Sequence, residues 1–188
     1  MKIAIIGAFL LLAPNAHAIE VDDNAALKIS APKERIVDTG IDQTNLAKIT
    51  RPVDAFYGFW NNGSTKLLEA ALSNDFVDHT LPPGRPQGPS GPAAASTAFL
   101  SAVPDLKAEV EQQLIVGDRV VSHLHFTGHF TGAFMGRSGK GETVDFIATD
   151  ILKVAEGKIT DNWHIEDNLT FLQEIGVFNP EASSKVNK

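Results

Sequence analysis

The sequence predicts an α+β domain in which helices cover one face of a curved antiparallel sheet. Three observations carry this. Large apolar residues recur at steps of three and four before Pro104 and at steps of two after it. The dipeptides Gly117-Asp118 and Glu156-Gly157 divide the second half into alternating segments that can pair as hairpins. Helical segments come first and strands follow, which is the order of an α+β fold rather than of a parallel α/β one.

The first helix is expected over 44–61, where Leu46, Ile49, Val53, Phe56, Tyr57 and Trp60 form one apolar stripe. Pro52 interrupts the stripe, so a restart there with Thr50 as a cap is expected. Asn62-Gly63 stops the helix, and Ser64 can cap a second one running to Leu72. Phe76 to His79 reads as a short extended piece. The run Leu81-Pro82-Pro83-Gly84-Arg85-Pro86-Gln87-Gly88-Pro89 must be a loop, because proline and glycine punctuate it throughout. Ser90 opens a third helix, with Pro92 in its first turn, and Pro104 ends it. About four main strands follow: one from Leu106, one over 119–130, one over 143–155 and one over 158–168, with a glycine-rich loop at 131–141.

The chain of 188 residues suffices for one ordinary domain. Sixteen basic residues against 23 acidic give a net charge of −7, a surface that repels phosphate backbones and disfavours nucleic-acid binding. The absence of cysteine excludes a disulfide scaffold, a thiolate nucleophile and cysteine-held metals. Lys2, the apolar stretch Ile3 to Ala13 and the small–x–small run Ala16-His17-Ala18 read as a signal peptide, 1–18, cleaved after Ala18. The mature protein is therefore expected to be periplasmic or secreted. The apolar stretch is about half of the roughly 20 residues that span a bilayer, which argues against a permanent membrane anchor. Residues 19–43 lack steady periodicity and read as a leader or loosely docked arm. The packed domain is expected over 44–178, with a tail at 179–188.

The last hairpin is the most informative for chemistry. A simple turn at Glu156-Gly157 sets Asp150 opposite Trp163 and Phe146 opposite Asp167. Trp163 and Ile165 are the apolar pair of the final strand, so their face should be inward and should carry Asp167 with it. A carboxyl group among rings resists ionisation and is poised for proton transfer near neutrality. The alternative for Asp167 is a strand-end cap bonded to nearby backbone N–H groups. Asp150 would also point inward, with a structural hydrogen bond as its other reading. His79 lies where the helical layer meets the mouth of the sheet and could act as a proton partner. His123, His125 and His129 share the face opposite Leu124, Phe126 and Phe130, hence the outer one, in solvent or at a subunit contact. They lack a third partner of suitable spacing, so no metal site is expected. Gly136 to Gly141 departs from a phosphate loop at both ends, and Ser138 does not sit in a nucleophile elbow.

Phe76-Val77-Asp78-His79, Pro104-Asp105-Leu106, Gly117-Asp118-Arg119-Val120, Thr131 to Gly136, Gly157-Lys158-Ile159 and Trp163-x-x-x-Asp167 resemble, in order and spacing, the SnoaL-like polyketide cyclases, or ester cyclases, of the nuclear-transport-factor-two-like superfamily. The resemblance spans roughly 53–176. It implies a cone, a strongly bent sheet wrapped by three helices around a pocket. It also implies intramolecular aldol ring closure without a cofactor, on a small apolar carbonyl compound. Asp167 would be the base and His79 the pocket histidine. Trp163 would be a wall, and Tyr57 and Trp60 would close the cavity. Phe130, Phe146, Asp150 and Ile165 complete the expected binding surface. A non-catalytic binding module on the same fold is the alternative. Outer sheet faces in this superfamily often pair, so a homodimer is also an expectation.

Overall fold

A computed structural model describes residues 21–179. The expected signal peptide and all of the expected tail except Asn179 lie outside the described residues. Thirteen elements follow in order: α1 (Asp23–Ile29), β1 (Glu34–Val37), α2 (Gln43–Asn62), α3 (Thr65–Ala71), β2 (Leu72–Asp78), α4 (Ser90–Ala102), β3 (Lys107–Val116), β4 (Arg119–Phe130), β5 (Ala133–Phe134), β6 (Arg137–Ser138), β7 (Glu142–Ala155), β8 (Lys158–Glu166) and α5 (Asn168–Glu174). The class is α+β, as expected, with one curved, open, six-stranded sheet in the order β1-β3-β4-β7-β8-β2. The four long central strands form the anticipated antiparallel meander. The two edges differ from expectation. Both β1 and β2 pair in parallel with their neighbours, so the sheet is mixed.

Residues 21–43 are not a loose arm. Asp22 caps α1 by accepting from the Ala25 amide at 2.8 Å, and Ala26 is wholly buried. The β1 strand adds itself to the sheet edge beside β3, where Arg35 donates to Gln113 at 2.6 Å and to Asp54 on α2 at 2.6 Å. A short helix and a four-residue strand carry too few residues to print a period, which is why this segment looks structureless in sequence. Pro52 does not divide the first helix either: α2 runs unbroken for 20 residues, capped by Asp42 and closed by Gly63 in the left-handed conformation. Asn61 on α2 ties α1 and β3 to its own helix, donating to the Ala26, Tyr57 and Ala108 carbonyls and accepting from the Ala108 amide at 2.8 Å.

The core lies between the inner sheet face and α2, α3 and α4. Phe56, Phe59, Phe130 and Phe171 are among its fully buried side chains. Each such ring stabilises the fold by roughly 1.5–3 kcal/mol relative to exposure. Two glycines permit close crossings behind it. A Cβ at Gly132 would overlap the Ser101 carbonyl, and one at Gly139 would overlap that of Phe130, so only glycine lets the β5–β6 hairpin fold back onto α4 and β4.

The β8 strand decides the site. Its first pairs follow the simple hairpin, with Ala155 opposite Lys158 and Val154 opposite Ile159. Then the register shifts: Lys153 faces Asp161, so one residue, Thr160, is extra on β8. Burial changes phase at the same place. Ile159 is inward, and the next inward residues are Asn162 and His164, three and five positions on. One added residue turns every following side chain to the opposite face. Asp150 therefore sits opposite His164, and Trp163 faces Ile151.

Candidate active site

A hollow opens between α2, α4 and the inner face of β4, β7 and β8, with about 610 Å³ of free space counted out through its mouth. Phe56, Trp60, Phe76, Phe99, Phe126 and Phe146 form its apolar walls. Phe126 and Phe146 stack with centroids 4.9 Å apart, and Trp60 meets Phe56 edge-on at 6.0 Å. Pro92, Leu124 and Ala148 add to these walls, and the polar lining residues are gathered at one end: Asp78, Arg85, Asp150, Asn162, His164 and Glu166.

His164 is the centre of that end. The bulge turns it inward, where its Nε2 lies 3.0 and 3.1 Å from the two Asp78 oxygens and its Nδ1 lies 2.7 Å from Glu166 Oε1. Burial opposes a charge on the ring, but the hydrogen bond and charge of Glu166, with Asp78 behind them, raise its pKa to about 9. The ring is therefore an imidazolium held between two carboxylates. The same partnership holds the Glu166 carboxyl below its ordinary range, although burial acts in the other direction. Thr80 completes the network, accepting from the His164 amide at 2.8 Å and donating its own amide to Asp78 at 2.9 Å.

Asp150, on β7 directly opposite His164, is 6% exposed. Burial raises its pKa to about 7 against the attraction of the His164 cation. The Tyr57 hydroxyl, buried behind it, lies near Asp150 and Ser122 but closes no well-formed hydrogen bond among the described residues. Burial and then the Asp150 charge push its pKa well above the usual phenolic range. Asn162 also lines the hollow, and its buried side-chain oxygen has no hydrogen-bond partner among the described residues. Chemically, the arrangement offers a dry carboxyl group poised near neutrality, a fixed cation across the strand pair, and unpaired polar atoms beside an aromatic chamber.

Of the expected site residues, the structure brings Trp60, Phe146 and Asp150 together in the hollow and buries Tyr57 behind it. The others are corrected. Asp167 lies beyond the strand as the N-cap of α5, accepting from the Thr170 amide at 3.0 Å and the Thr170 hydroxyl at 2.7 Å. Those bonds hold its carboxyl below the ordinary range, the opposite of a poised base. Ile165 points to solvent and is 76% exposed. Trp163 is on the outer face, stacked on His79 at 4.3 Å with Arg119 over its ring. His79 is on that same exterior, 2.8 Å from Asp161, and does not line the hollow. Phe130 is wholly buried in the core away from the chamber. One cause accounts for Trp163, Ile165 and Asp167, namely the bulge at Thr160. His123, His125 and His129 do lie on the outer face, as expected. There His125 contacts Asp145 at 2.7 Å and His129 contacts Asp105 at 2.7 Å.

Asp78, Arg85, Asn162, His164 and Glu166 are the site residues that sequence reasoning missed. A signal existed for two of them: His164 and Glu166, two positions apart, share a strand face and form an acid–imidazole pair whichever side turns inward.

No curated protein matches the sequence. The profile of the SnoaL-like polyketide cyclases matches residues 50–175. Among solved structures, a candidate polyketide cyclase from Bacillus cereus is 38% identical, covering 80% of this chain and 95% of its own, with a TM-score of 0.73. IdmH, a candidate polyketide cyclase from Streptomyces antibioticus, is 26% identical over 66% of this chain and 96% of its own, TM-score 0.60. A SnoaL-like protein from Jannaschia is 20% identical over 76% and 98%, TM-score 0.59, a likeness of fold alone. The chain belongs to the SnoaL-like polyketide cyclase family, whose members bind small-molecule ligands.

Proposed function

We propose that this protein is a cofactor-free acid–base catalyst acting on a small, largely apolar carbonyl compound, with Asp150 as the proton-transferring group. The observation that carries the reading is a buried carboxyl, its pKa raised to about 7, at the polar end of an aromatic chamber. In the aldol reaction that the family implies, the Asp150 carboxylate removes a proton beside one carbonyl. The enolate carbon attacks a second carbonyl of the same molecule, a C–C bond forms, and the resulting alkoxide takes the proton back from Asp150. The His164 imidazolium favours the negative charge that passes through these steps, because it is fixed before the substrate arrives.

The first half of this sequence is testable without the natural substrate. The protein in deuterated buffer should accelerate exchange of the protons next to the carbonyl of 2-tetralone, read by mass spectrometry. Asp150→Asn should remove the acceleration, whereas Asp167→Asn should keep it. Equal exchange by wild type and Asp150→Asn would end the catalytic reading. One feature favours a non-catalytic binding module instead: both His164 nitrogens are already engaged, which leaves no imidazole N–H for a substrate oxygen. Tight 2-tetralone binding with no exchange would select that reading.

Two further expectations accompany the proposal. Export rests on the pattern of residues 1–18, and a mature chain beginning at Ile19 in the periplasmic or secreted fraction would support it. A homodimer would meet on the outer sheet face, where Ile147, Ile151 and Ile165 are exposed beside His123 and His125. A single monomeric species in sedimentation at all concentrations would exclude it.

A further inference from the structure

We propose that Arg85 holds a carboxylate of the substrate, so that the ligand is an anionic, otherwise apolar carbonyl compound. This rests on the reading of the hollow given above and names the class of molecule that enters it.

Arg85 lines the polar end of the chamber from the loop between β2 and α4. That loop is pinned at both sides. The Gln87 side chain takes the place of a strand partner for Asp78, accepting from its amide at 2.8 Å and donating to its carbonyl at 2.9 Å. The Arg85 amide closes a turn onto the Pro82 carbonyl at 3.1 Å. On the α4 side, a Cβ at Gly91 would come within 2.5 Å of the Pro86 carbonyl, so the helix start and the loop are in direct contact. The backbone that carries the guanidinium is thus fixed before any ligand binds, which lowers the entropy lost on binding.

Three carboxyl groups, those of Asp78, Asp150 and Glu166, line the same end of the hollow, yet Arg85 makes no hydrogen bond or ion pair with any of them among the described residues. Asp78 and Glu166 are already engaged. Asp78 receives His164 and the Thr80 amide, while Glu166 receives His164 and the Asn168 amide group. The guanidinium acts on Glu166 only through space. A planar fork of five donors, half-buried at the rim of an aromatic chamber and unpaired, matches the bidentate geometry of a carboxylate. The bland alternative is a counter-ion for Glu166 that touches no ligand.

Paired probes of one shape separate these roles: 2-naphthoate, which carries the carboxylate, and 2-acetylnaphthalene, its neutral ketone counterpart. Binding of each is titrated at pH 6, where Asp150 is mostly neutral, to wild type, Arg85→Met and Arg85→Lys. Circular dichroism checks that each variant is folded. Arg85→Met should weaken 2-naphthoate by about 10–100-fold, the worth of a charge-assisted pair, and leave the ketone within about threefold. Arg85→Lys should fall between, because it keeps the charge and loses the fork. Equal losses for both probes, no loss for either, or full affinity in Arg85→Lys would overturn the proposal while leaving the hollow as a binding site. Failure of the ketone to bind wild type would overturn the reading of the hollow, and this proposal with it.

Discussion

Asp150→Asn should make the protein more stable at alkaline pH, by an amount that itself varies with pH. The native carboxyl has its pKa raised from 3.8 to about 7, with burial as the largest cause. In the unfolded chain the group ionises near 3.8. The native state therefore binds more protons than the unfolded state between these values, and stability falls as pH rises through that window. The interval is about three pH units, and each is worth about 1.4 kcal/mol, so the full effect is about 4 kcal/mol. Solvent entry through the mouth trims this to roughly 2–4 kcal/mol. Asparagine has the same shape and no charge, so it removes the penalty. Urea unfolding of wild type and Asp150→Asn at pH 4, 5, 6, 7 and 8 provides the assay, because the titration of every other group largely cancels in the difference. The variant's advantage should be smallest at pH 4, grow until about pH 7 and level off above it. A difference that stays flat from pH 4 to 8 would mean that Asp150 ionises normally. Asp150 would then not be a poised base, whatever the kinetics showed.

Three other outcomes follow from the same geometry. His164 should move stability in the same direction with pH but in a higher window, and its loss should cost stability rather than add it: its pKa is raised to about 9, so its ion pairs are fully formed below about pH 6.5 and their contribution is lost as pH rises through 9. His164→Gln should level the decline in stability between about pH 6.5 and 9 and lower stability at pH 7 by roughly 3–5 kcal/mol, because Asp78 and Glu166 are left facing each other, as urea unfolding would show. Asp167→Ala should cost about 1 kcal/mol through the lost cap of α5 and leave 2-tetralone exchange unchanged; lost exchange with native stability would return Asp167 to the chemistry. Deleting Thr160 should turn Asn162, His164 and Glu166 outward and abolish 2-acetylnaphthalene binding; a folded deletion variant that binds the ketone as wild type does would show that the bulge does not set the site.

What could be read without coordinates divides along a physical line. The helical stripe of α2 and the alternation of β4 repeat over three or more turns or alternations, the Ser64 cap of α3 is a signal within one turn, and all three occur where the sequence places them. The inward face of β4 was legible for the same reason, with Leu124, Phe126 and Phe130 agreeing along one strand. The final strand was not legible, since its apolar residues disagree. Ile159 lies on one side of the bulge and Trp163 and Ile165 on the other, and a strict period of two must misassign one group. The structure resolves the conflict by leaving Ile165 exposed and covering Trp163 with His79 and Arg119, outside the core. Hydrophobicity alone would make that an error. The polar residues account for it: inward Ile165 and Asp167 would send His164 and Glu166 to the surface and leave Asp150 and Asp78 without a buried cation. The bulge instead closes a charge-balanced set around one imidazolium, a gain that exceeds the loss of one isoleucine from the core, because an unpaired buried carboxylate costs more than an exposed aliphatic side chain returns. The site and the register error therefore have the same origin, and the three-residue step from Ile159 to Asn162 is where the fold departs from its simplest pairing to place that imidazolium inside.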